Sequence, residues 1–257
     1  MIDISELKIA KIKEMIDSIK EEEYLSYVEI LSKDSRKAVK DMAVRLAKKI
    51  DAIEKEDKRL YEISQYERGA FERGFKFICG LDEVGRGPLA GPVVAGAVIF
   101  KEGEVIRGIN DSKKLSEQRR EELFEEITEK AIAWAVGIVD NEAIDEFNIL
   151  NATKMAMKQA INRLSVDPDY LLLDALRLDG IELPQEDIIK GDSKSMSIAG
   201  ASIVAKVTRD RMIKEYGEIY PEYGFNSHKG YGTKEHYEAL KKYGLTPIHR
   251  KSFLKNL

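Results

Sequence analysis

Two patterns of hydrophobic and polar residues divide the chain near residue 70. In the first part, apolar residues recur three or four positions apart with charged residues between them, as in an amphipathic helix. The repeating positions are Ile12, Met15, Ile16 and Ile19, then Val39, Met42, Ala43, Leu46 and Ile50. The first glycine is Gly69 and the first proline is Pro88, so no helix breaker interrupts this part. The pattern predicts a helical extension over residues 1–70, as a hairpin or a small bundle.

Residues 71–257 alternate short apolar runs with amphipathic stretches, which is typical of an α/β domain. Strands are predicted at residues 76–82, 93–100, 131–139, 170–174 and 188–190. The first three follow one another over short connections, which favours antiparallel pairing. Residues 170–174 form a continuous apolar run ending in an acid, which indicates a strand buried on both faces and paired in parallel. The sequence predicts a mixed five-stranded sheet, antiparallel first and parallel afterwards, flanked by helices.

Helices are predicted at residues 117–130, 149–164 and 197–216, and C-terminal helices from residue 234. The helix at 197–216 carries small residues, so we expect it to lie close to the sheet. Those residues are Ala199, Gly200, Ala201 and Ala205.

The net charge of −4 over 257 residues does not favour polyanion binding by the chain as a whole. Basic residues are concentrated between Lys33 and Lys49, where seven Lys or Arg stand against two Asp. These side chains either form a solvated face or contact phosphates, and both interpretations stay open. The contacting residues would be Arg36, Lys37, Lys40 and Lys48.

Cysteine content and the ends of the chain bear on the cell compartment. The single cysteine, Cys79, excludes an internal disulfide and a multi-cysteine zinc site. The acidic start, residues 1–6, does not resemble a signal peptide. The longest nearly apolar stretch, residues 89–100, is shorter than the roughly 20 residues of a membrane span. We therefore expect a cytoplasmic protein without a membrane partner.

Four acids stand at the ends of predicted strands or in the loops just beyond them: Asp82, Glu83, Asp174 and Asp192. If the sheet brings these ends together, the like charges conflict unless cations lie between them. Oxygen ligands alone suit Mg²⁺ or Mn²⁺, and two such ions serve phosphodiester hydrolysis. Any single acid can instead be a turn or cap residue, and Asp192 lies just ahead of a predicted helix.

Glycine, basic and aromatic residues near the acids suggest a nucleic-acid substrate. Gly85-Arg86-Gly87 follows the acidic pair, and its backbone groups can hydrogen-bond a ribose 2′-hydroxyl while Arg86 meets a phosphate. Tyr231 lies between glycines and a lysine and is suited to stack on a sugar or base. Further candidates for phosphate contact are Lys113, Lys114 and Lys194.

Taken together, these motifs resemble bacterial ribonuclease HII over residues 77–251. The motifs lie at residues 82–88, 111–115, 174, 191–195, 201–206 and 228–231, in this order. The resemblance implies an RNase H-like fold and a divalent-metal endonuclease. Such an enzyme cuts the RNA strand of RNA–DNA hybrids and incises 5′ of ribonucleotides embedded in duplex DNA, leaving 3′-hydroxyl and 5′-phosphate ends.

The resemblance also assigns roles to residues. Asp82, Glu83, Asp174 and Asp192 correspond to the catalytic, metal-binding carboxylates, which would hold two Mg²⁺ or Mn²⁺ ions. Gly85, Arg86 and Gly87 correspond to the loop that reads the 2′-hydroxyl. Tyr231 corresponds to the aromatic that stacks on the neighbouring deoxyribose.

The sister family, ribonuclease HIII, lacks the Gly-Arg-Gly turn, has Glu as its fourth acid and carries a sheet-based N-terminal domain. This chain has Asp192 and a helical extension, which favours ribonuclease HII. Residues 252–257 do not show the glutamine-led sliding-clamp peptide of some relatives. The expected partners are RNA–DNA hybrids and ribonucleotide-containing duplexes, and we expect a monomer.

Two other classes of function remain open from the residues alone. A metal-dependent phosphatase would use the acids on a small phosphoester, but it would leave Lys229 and Tyr231 without a role. A non-catalytic module that binds hybrids would use the basic helix between Lys33 and Lys49, but it would leave the four acids unexplained.

Overall fold

The structure is a computed structural model that describes residues 4–255. It divides into two compact units, Met1–Tyr61 and Glu62–Leu257. The boundary predicted at residue 70 lies inside the second unit. Among residues 4–255, no helix combines the length and the apolar character of a membrane span.

The first unit is helical, as predicted. Helix α1 spans Ile9–Ser18, α2 spans Tyr24–Ser32, and α3 begins at Lys37 and ends at Ile63. The residues predicted to repeat at helical spacing supply much of the unit's core, because they lie on the inner faces of these helices. The buried residues are Ile4, Ile12, Tyr27, Leu31, Val39, Ala43 and Leu46.

The basic segment of this unit contains one residue with a structural role. Arg36 donates to the carbonyl oxygens of Leu7 at 2.6 Å and Ile4 at 2.9 Å, and it pairs with Asp34 at 2.6 Å. The Arg36 guanidinium holds the pKa of Asp34 at about 2. Arg36 therefore serves the fold of this unit, and its contact with a phosphate stays a prediction. Lys37, Lys40 and Lys48 are exposed, which is compatible with both interpretations of the segment.

The second unit is built on the predicted five-stranded mixed sheet, with strand order β3-β2-β1-β4-β5. Strands β1 and β2 and strands β2 and β3 pair antiparallel, whereas β1 with β4 and β4 with β5 pair in parallel. The strands are β1 Ile78–Val84, β2 Val93–Ile99, β3 Ala133–Val139, β4 Tyr170–Asp174 and β5 Gln185–Ile188. The helices are α4 Gln65–Glu72, α5 Glu117–Lys130, α6 Asn141–Asn162, α7 Met196–Ile219, α8 Phe225–His228 and α9 Lys234–Tyr243.

Two elements differ from the sequence prediction. Strand β5 ends at Ile188 because Lys190 takes a left-handed conformation with φ 59°, and the strand itself is a polar edge whose pattern is weak. Helix α6 begins eight residues before the predicted helix and is interrupted at Asn148, with φ 66°. The Asn148 side chain accepts hydrogen bonds from Leu150 N and Asn151 N, so it caps the second half.

Helix α7 lies close to the sheet, as its small residues predict. Glycines on the strands contribute equally, because a Cβ on Gly80 would be 2.1 Å from the Ser197 carbonyl carbon. A Cβ on Gly96 would be 2.2 Å from the Ala201 carbonyl oxygen. Since alternate residues of a strand face opposite sides, Gly80 and Asp82 share the α7 side of β1. Helix α6 packs on the other side, over a core that includes Leu81, Leu171 and Met157.

Candidate active site

The carboxyl ends of β1 and β4 bring two of the predicted acids together. The parallel register pairs Leu81 with Leu173, so Asp82 and Asp174 occupy equivalent positions one residue further along adjacent strands. Neighbouring strands lie about 4.8 Å apart, which places the two acids side by side at one edge of the sheet. Glu83 follows Asp82 on the same strand and donates its backbone N–H to the Asp82 carboxyl at 2.7 Å.

Asp192 reaches the same edge through the turn that precedes α7. It lies in a 3₁₀ turn at Gly191–Ser193, and Gly191 N donates to Asp174 Oδ1 at 2.7 Å. Ser195, rather than Asp192, caps α7 by accepting from Ile198 N. The helix-cap alternative for Asp192 is therefore wrong, and this residue lies next to Asp174 with a buried side chain.

The electrostatics show that these acids affect one another. Burial raises the pKa of Asp82 well above its ordinary value, and the charges of Glu83 and Asp174 add to the rise against a hydrogen bond from Ser202. Burial also raises the pKa of Glu83, opposed by Arg86, whose Nη1 lies 3.3 Å from Glu83 Oε1. Like charges this close favour protonation unless cations are near.

The pKa of Asp192 is raised in the same way, and a fifth acid, Asp111, contributes to the rise. Burial raises the pKa of Asp192, and the charges of Asp111 and Asp174 raise it further. The Asp111 carboxyl also accepts a hydrogen bond from Lys113 N at 2.9 Å. Asp111 lies in one of the sequence motifs but was not predicted as a site residue, because its distance along the chain from Asp192 gives no sign that the two meet.

Lys113 lies among these acids, and its predicted contact with a substrate phosphate stays a prediction. Its pKa is raised despite burial, because the charges of four acids outweigh the loss of solvent; these acids are Asp82, Asp192, Asp111 and Asp174. Lys194 is exposed two residues after Asp192, and its role in substrate contact stays a prediction.

The donor set fits hard divalent cations. As the side chains are placed, no three carboxylate, imidazole or thiol groups within residues 4–255 share one ion position. The carboxyl groups are nevertheless close enough to raise one another's pKa, and positive charge comes from Lys113 and Arg86. Carboxylates that lie this close repel one another, and a divalent cation bound between them removes the repulsion.

The Gly-Arg-Gly turn lies beside Tyr231, so the structure brings together the residues predicted to contact substrate. Gly85 is buried with φ 91°, and a Cβ there would be 2.3 Å from Arg209 Nε, so only glycine fits. Arg86 and Gly87 are exposed, and a Cβ on Gly87 would be 3.5 Å from the Tyr231 ring. Tyr231 itself is 44% exposed.

A fully buried arginine, Arg250, holds this turn, and a second one, Arg209, holds the chain just after it; neither was predicted as a site residue. Arg250 donates to the carbonyl oxygens of Gly85 at 2.6 Å, Arg86 at 3.0 Å and Gly91 at 2.8 Å. Burial lowers the pKa of Arg250 to about 9, and the charge of Arg209 adds to this effect. The guanidinium group is thus satisfied by backbone carbonyls of the turn, which fixes the turn in place.

Arg209 joins the chain just after the turn, at Ala90 and Pro92, to the segment that carries Tyr231. It donates to Pro92 O at 3.0 Å, to Ala90 O at 3.1 Å and to Lys229 O at 3.1 Å. Burial lowers the pKa of Arg209 as well. The sequence signal for Arg209 is weak: it lies on α7 among buried residues that are mostly small or aliphatic.

The histidines His228, His236 and His249 form a buried cluster behind Tyr231. Thr246 N donates to His249 Nδ1 at 2.9 Å, so His249 Nε2 donates to His236 Nε2 at 3.0 Å. His236 Nδ1 then donates to the Tyr231 carbonyl oxygen at 2.9 Å. Burial lowers the pKa of His236, and it lowers that of His249 to about 4. Both rings are therefore neutral and hold the Tyr231 backbone.

Comparison with known proteins matches both units. The family model described as Ribonuclease HII covers residues 79–256, and the one described as Ribonuclease HII N-terminal domain covers residues 8–71. Ribonuclease HII of Clostridioides difficile is 60% identical over 249 residues, covering 97% of this chain and 98% of the relative. Ribonuclease HII of Acetivibrio thermocellus is 51% identical over 250 residues, with coverage of 97% and 98%.

Solved structures agree with this assignment. The ribonuclease H2 of Pyrococcus horikoshii superimposes with a TM-score of 0.60 and 30% identity, covering 68% of this chain and 93% of that one. The RNase HII in the PCNA:RNase HII complex of Archaeoglobus fulgidus gives 0.59 and 29%, with coverage of 70% and 95%. The chain belongs to the ribonuclease HII family of endonucleases, which depend on divalent metal ions and hydrolyse the RNA strand of RNA–DNA hybrids.

Proposed function

We propose that this chain cuts the RNA strand of RNA–DNA hybrids and also incises 5′ of single ribonucleotides in duplex DNA, leaving 3′-hydroxyl and 5′-phosphate ends. The observation that carries the proposal is the position of the Gly85–Gly87 turn and Tyr231 directly beyond the acids at the ends of β1 and β4. A site that combines carboxylates with a backbone turn and an exposed aromatic ring suits a sugar–phosphate backbone.

The carboxylates would hold the metal ions. We propose two Mg²⁺ or Mn²⁺ ions bound by Asp82, Glu83, Asp174 and Asp192. Such ions supply an activated water and neutralise the charge that develops on the leaving 3′-oxygen. Asp82 and Asp174 would bind from equivalent strand positions, and the turn at Gly191–Ser193 would bring Asp192 to them.

The neighbouring residues would bind and orient the nucleic acid. The backbone of Gly85 and Gly87 would hydrogen-bond the 2′-hydroxyl, which DNA lacks. The Tyr231 ring, next to Gly87, would stack on the following deoxyribose. Arg86 would exchange its contact with Glu83 for a phosphate, while Lys113 and Lys194 would contact the backbone.

Cleavage of mixed-sugar duplexes tests this proposal. With Mg²⁺, a DNA duplex that carries one ribonucleotide should yield a single nick, and an all-DNA duplex should stay intact. Asp82→Asn should abolish turnover and leave hybrid binding largely unchanged. Asp187→Asn is the matched control, since Asp187 is an exposed acid on β5. Equal cutting of the all-DNA duplex would contradict the 2′-hydroxyl proposal.

The two alternatives have less support. A phosphatase would release free phosphate from nucleotides and leave oligonucleotides intact, and a small phosphoester would make no use of Tyr231. A non-catalytic module would bind hybrids without metal-dependent cleavage, which does not accord with membership of an endonuclease family.

Partners and compartment stay predictions. We propose hybrids and ribonucleotide-containing duplexes as the partners, with the chain acting as a cytoplasmic monomer. PCNA appears with the Archaeoglobus relative, whereas residues 252–257 of this chain lack the glutamine-led peptide, so we propose no clamp contact. Residues 256–257 lie outside the described part.

A further inference from the structure

A buried acid outside the proposed metal site contacts the first turn of α7. Glu67 lies on α4 and is 5% exposed. Its Oε1 accepts three hydrogen bonds, from Ser195 Oγ at 2.6 Å, Ser197 N at 2.9 Å and Ser197 Oγ at 2.5 Å. An acceptor at this place stabilises the start of a helix, because it satisfies free N–H groups and complements the helix dipole.

The other oxygen of the same group has no partner. Among the described residues, Glu67 Oε2 is buried and makes no hydrogen bond. A buried polar atom without a partner costs free energy, so one half of this carboxyl group is unfavourable for stability by itself. The three donors converge on the other oxygen, so the clear structural effect of Glu67 is to hold the start of α7 in place.

The contacts of Glu67 continue to the proposed metal ligands. Ser195 N donates to Gly191 O at 2.8 Å, which closes the turn that carries Asp192. Gly191 N in turn donates to Asp174 Oδ1 at 2.7 Å. A continuous series of hydrogen bonds thus runs from Glu67 through Ser195 and Gly191 to Asp174.

Helix α4 packs firmly against the rest of the second unit, so the backbone at Glu67 is held in a fixed position. Ala70 of α4 is fully buried in a cluster with residues of β1, β4, β5 and α7. The cluster contains Ala70, Ile78, Tyr170, Leu172, Ile188 and Ile198, with Tyr66, Phe71 and Phe75 packed against it. Rigid support behind a site residue is what keeps ligand geometry within the narrow limits that catalysis needs.

We infer that Glu67 is a positioning residue for the metal-binding carboxylates. It fixes the first turn of α7, and through Ser195 and Gly191 it sets the place of Asp192 relative to Asp174. This inference rests on the proposed function insofar as Asp174 and Asp192 bind the ions.

Hydrogen exchange in the metal-free full chain tests the positioning directly. In Glu67→Ala, the amides of Gly191 and Ser195 should exchange at least about tenfold faster, while Leu172 in the centre of the sheet should keep its rate. Glu67→Gln retains one acceptor oxygen, so its effect should be smaller than that of alanine. Faster exchange confined to Ser197, or spread evenly over the unit, would overturn the inference.

Ion binding and kinetics provide the second readout. Calorimetric titration with Mn²⁺ should show affinity lowered by about 10- to 100-fold in Glu67→Ala, and kcat should fall with little change in KM. Glu72→Gln is the matched control, because Glu72 is an exposed glutamate on the same helix. Unchanged Mn²⁺ affinity together with unchanged kcat would refute the role.

Two further measures keep the test decisive. If Glu67→Ala does not fold, Ser197→Ala removes one of the three donors and should show the same effects at smaller size. If the wild-type chain cuts no mixed-sugar duplex, the proposed function fails, whereas exchange and Mn²⁺ binding still decide the role of Glu67.

Discussion

The carboxylate cluster and the Gly85–Gly87 turn, which we propose reads the substrate, lie side by side but are held by different means. Asp82 and Asp174 take their places from strand register, since each is the residue that follows a paired leucine. The turn at Gly85–Gly87 and the Tyr231 segment take theirs from Arg209 and Arg250, whose donors bind backbone carbonyls. Two of the proposed metal ligands are therefore positioned by the sheet, whereas the proposed substrate-binding residues are positioned by side chains that are distant along the chain.

Lowering the pH changes the stability of the folded state in opposite directions in the two regions. In the metal-free protein, Asp82, Glu83 and Asp192 have a raised pKa, so the folded state binds their protons more readily than the unfolded chain does. Acid therefore favours the folded state in this region. His236 and His249 have a lowered pKa, so protonation favours unfolding and acid destabilises the Tyr231 side.

The largest expected effect is at the carboxylates. Asp174→Asn should lower the single-turnover cleavage rate by about a thousandfold, because metal-bound charge stabilises the transition state by several kcal/mol. Hybrid affinity measured without divalent metal should be unchanged or higher, since a negative charge is removed. Asp187→Asn serves as the control, and a variant that keeps half of the wild-type rate would contradict the assignment.

A smaller effect, on substrate binding rather than on the chemical step, is expected at Arg250, which holds the Gly85–Gly87 turn. Arg250→Lys loses the forked hydrogen bonds to Gly85 and Arg86, which should lower the free energy of unfolding by about 2 kcal/mol and, because the turn is held less firmly, also lower kcat/KM on a single-ribonucleotide duplex. The loss should appear in KM rather than in kcat, because the carboxylates stay in place. Lys251→Met, an exposed neighbour, is the control. A loss of kcat at constant KM would contradict the claim that Arg250 affects substrate binding and leaves the carboxylates in place.

The pH dependence of the free energy of unfolding reports the contribution of His249 in the histidine cluster. His249 changes from a pKa of 6.5 in the unfolded chain to about 4 in the fold, so its contribution is complete above pH 6.5 and is lost as pH falls toward 4. Between pH 7 and pH 5 this loss amounts to about 2 kcal/mol. Urea unfolding at both pH values should show a smaller difference for His249→Gln than for the wild type. An equal difference would show that this ring does not carry the effect.

The smallest expected effect concerns the helical extension. Replacing Lys37, Lys40 and Lys48 together with Gln should make the salt dependence of hybrid binding shallower, by a slope of about 0.9 for each phosphate that these lysines neutralise. The matched control is the exposed set Lys11, Lys13 and Lys20, in and just after α1. An equal slope in both variants would show that the basic face is only solvated.

Deletion of the extension makes the same comparison on a larger scale. The deletion should end at residue 61 rather than 70, because removing α4 would also remove Glu67 from α7. We expect weaker hybrid binding with a smaller salt dependence, and unchanged cleavage of bound substrate. Unchanged affinity across salt concentrations would mean that the extension is structural.

Much of the fold was predictable because apolar runs and their breaks are local signals. Strands β1 to β4, the parallel pairing of β4 and the close approach of α7 follow from run length and residue size, whereas the antiparallel pairing of β2 with β3 does not follow from connection length, because α5 lies between these two strands. The first half of α6 was not predictable, since Asn148 interrupts the helix with a positive φ that the local sequence does not indicate. The start of β5 was missed because an edge strand needs few apolar residues.

By itself, the sequence indicated the places of Asp82 and Asp174, because each follows a short apolar run that is typical of a buried strand. It also determined the Gly-Arg-Gly turn, whose first glycine adopts a backbone conformation open to few other residues. Only the tertiary structure decided the roles of Arg209, Arg250, Asp111 and Glu67. Their partners are backbone groups or acids far away along the chain, and a charged residue in the sequence carries no sign that folding will bury it.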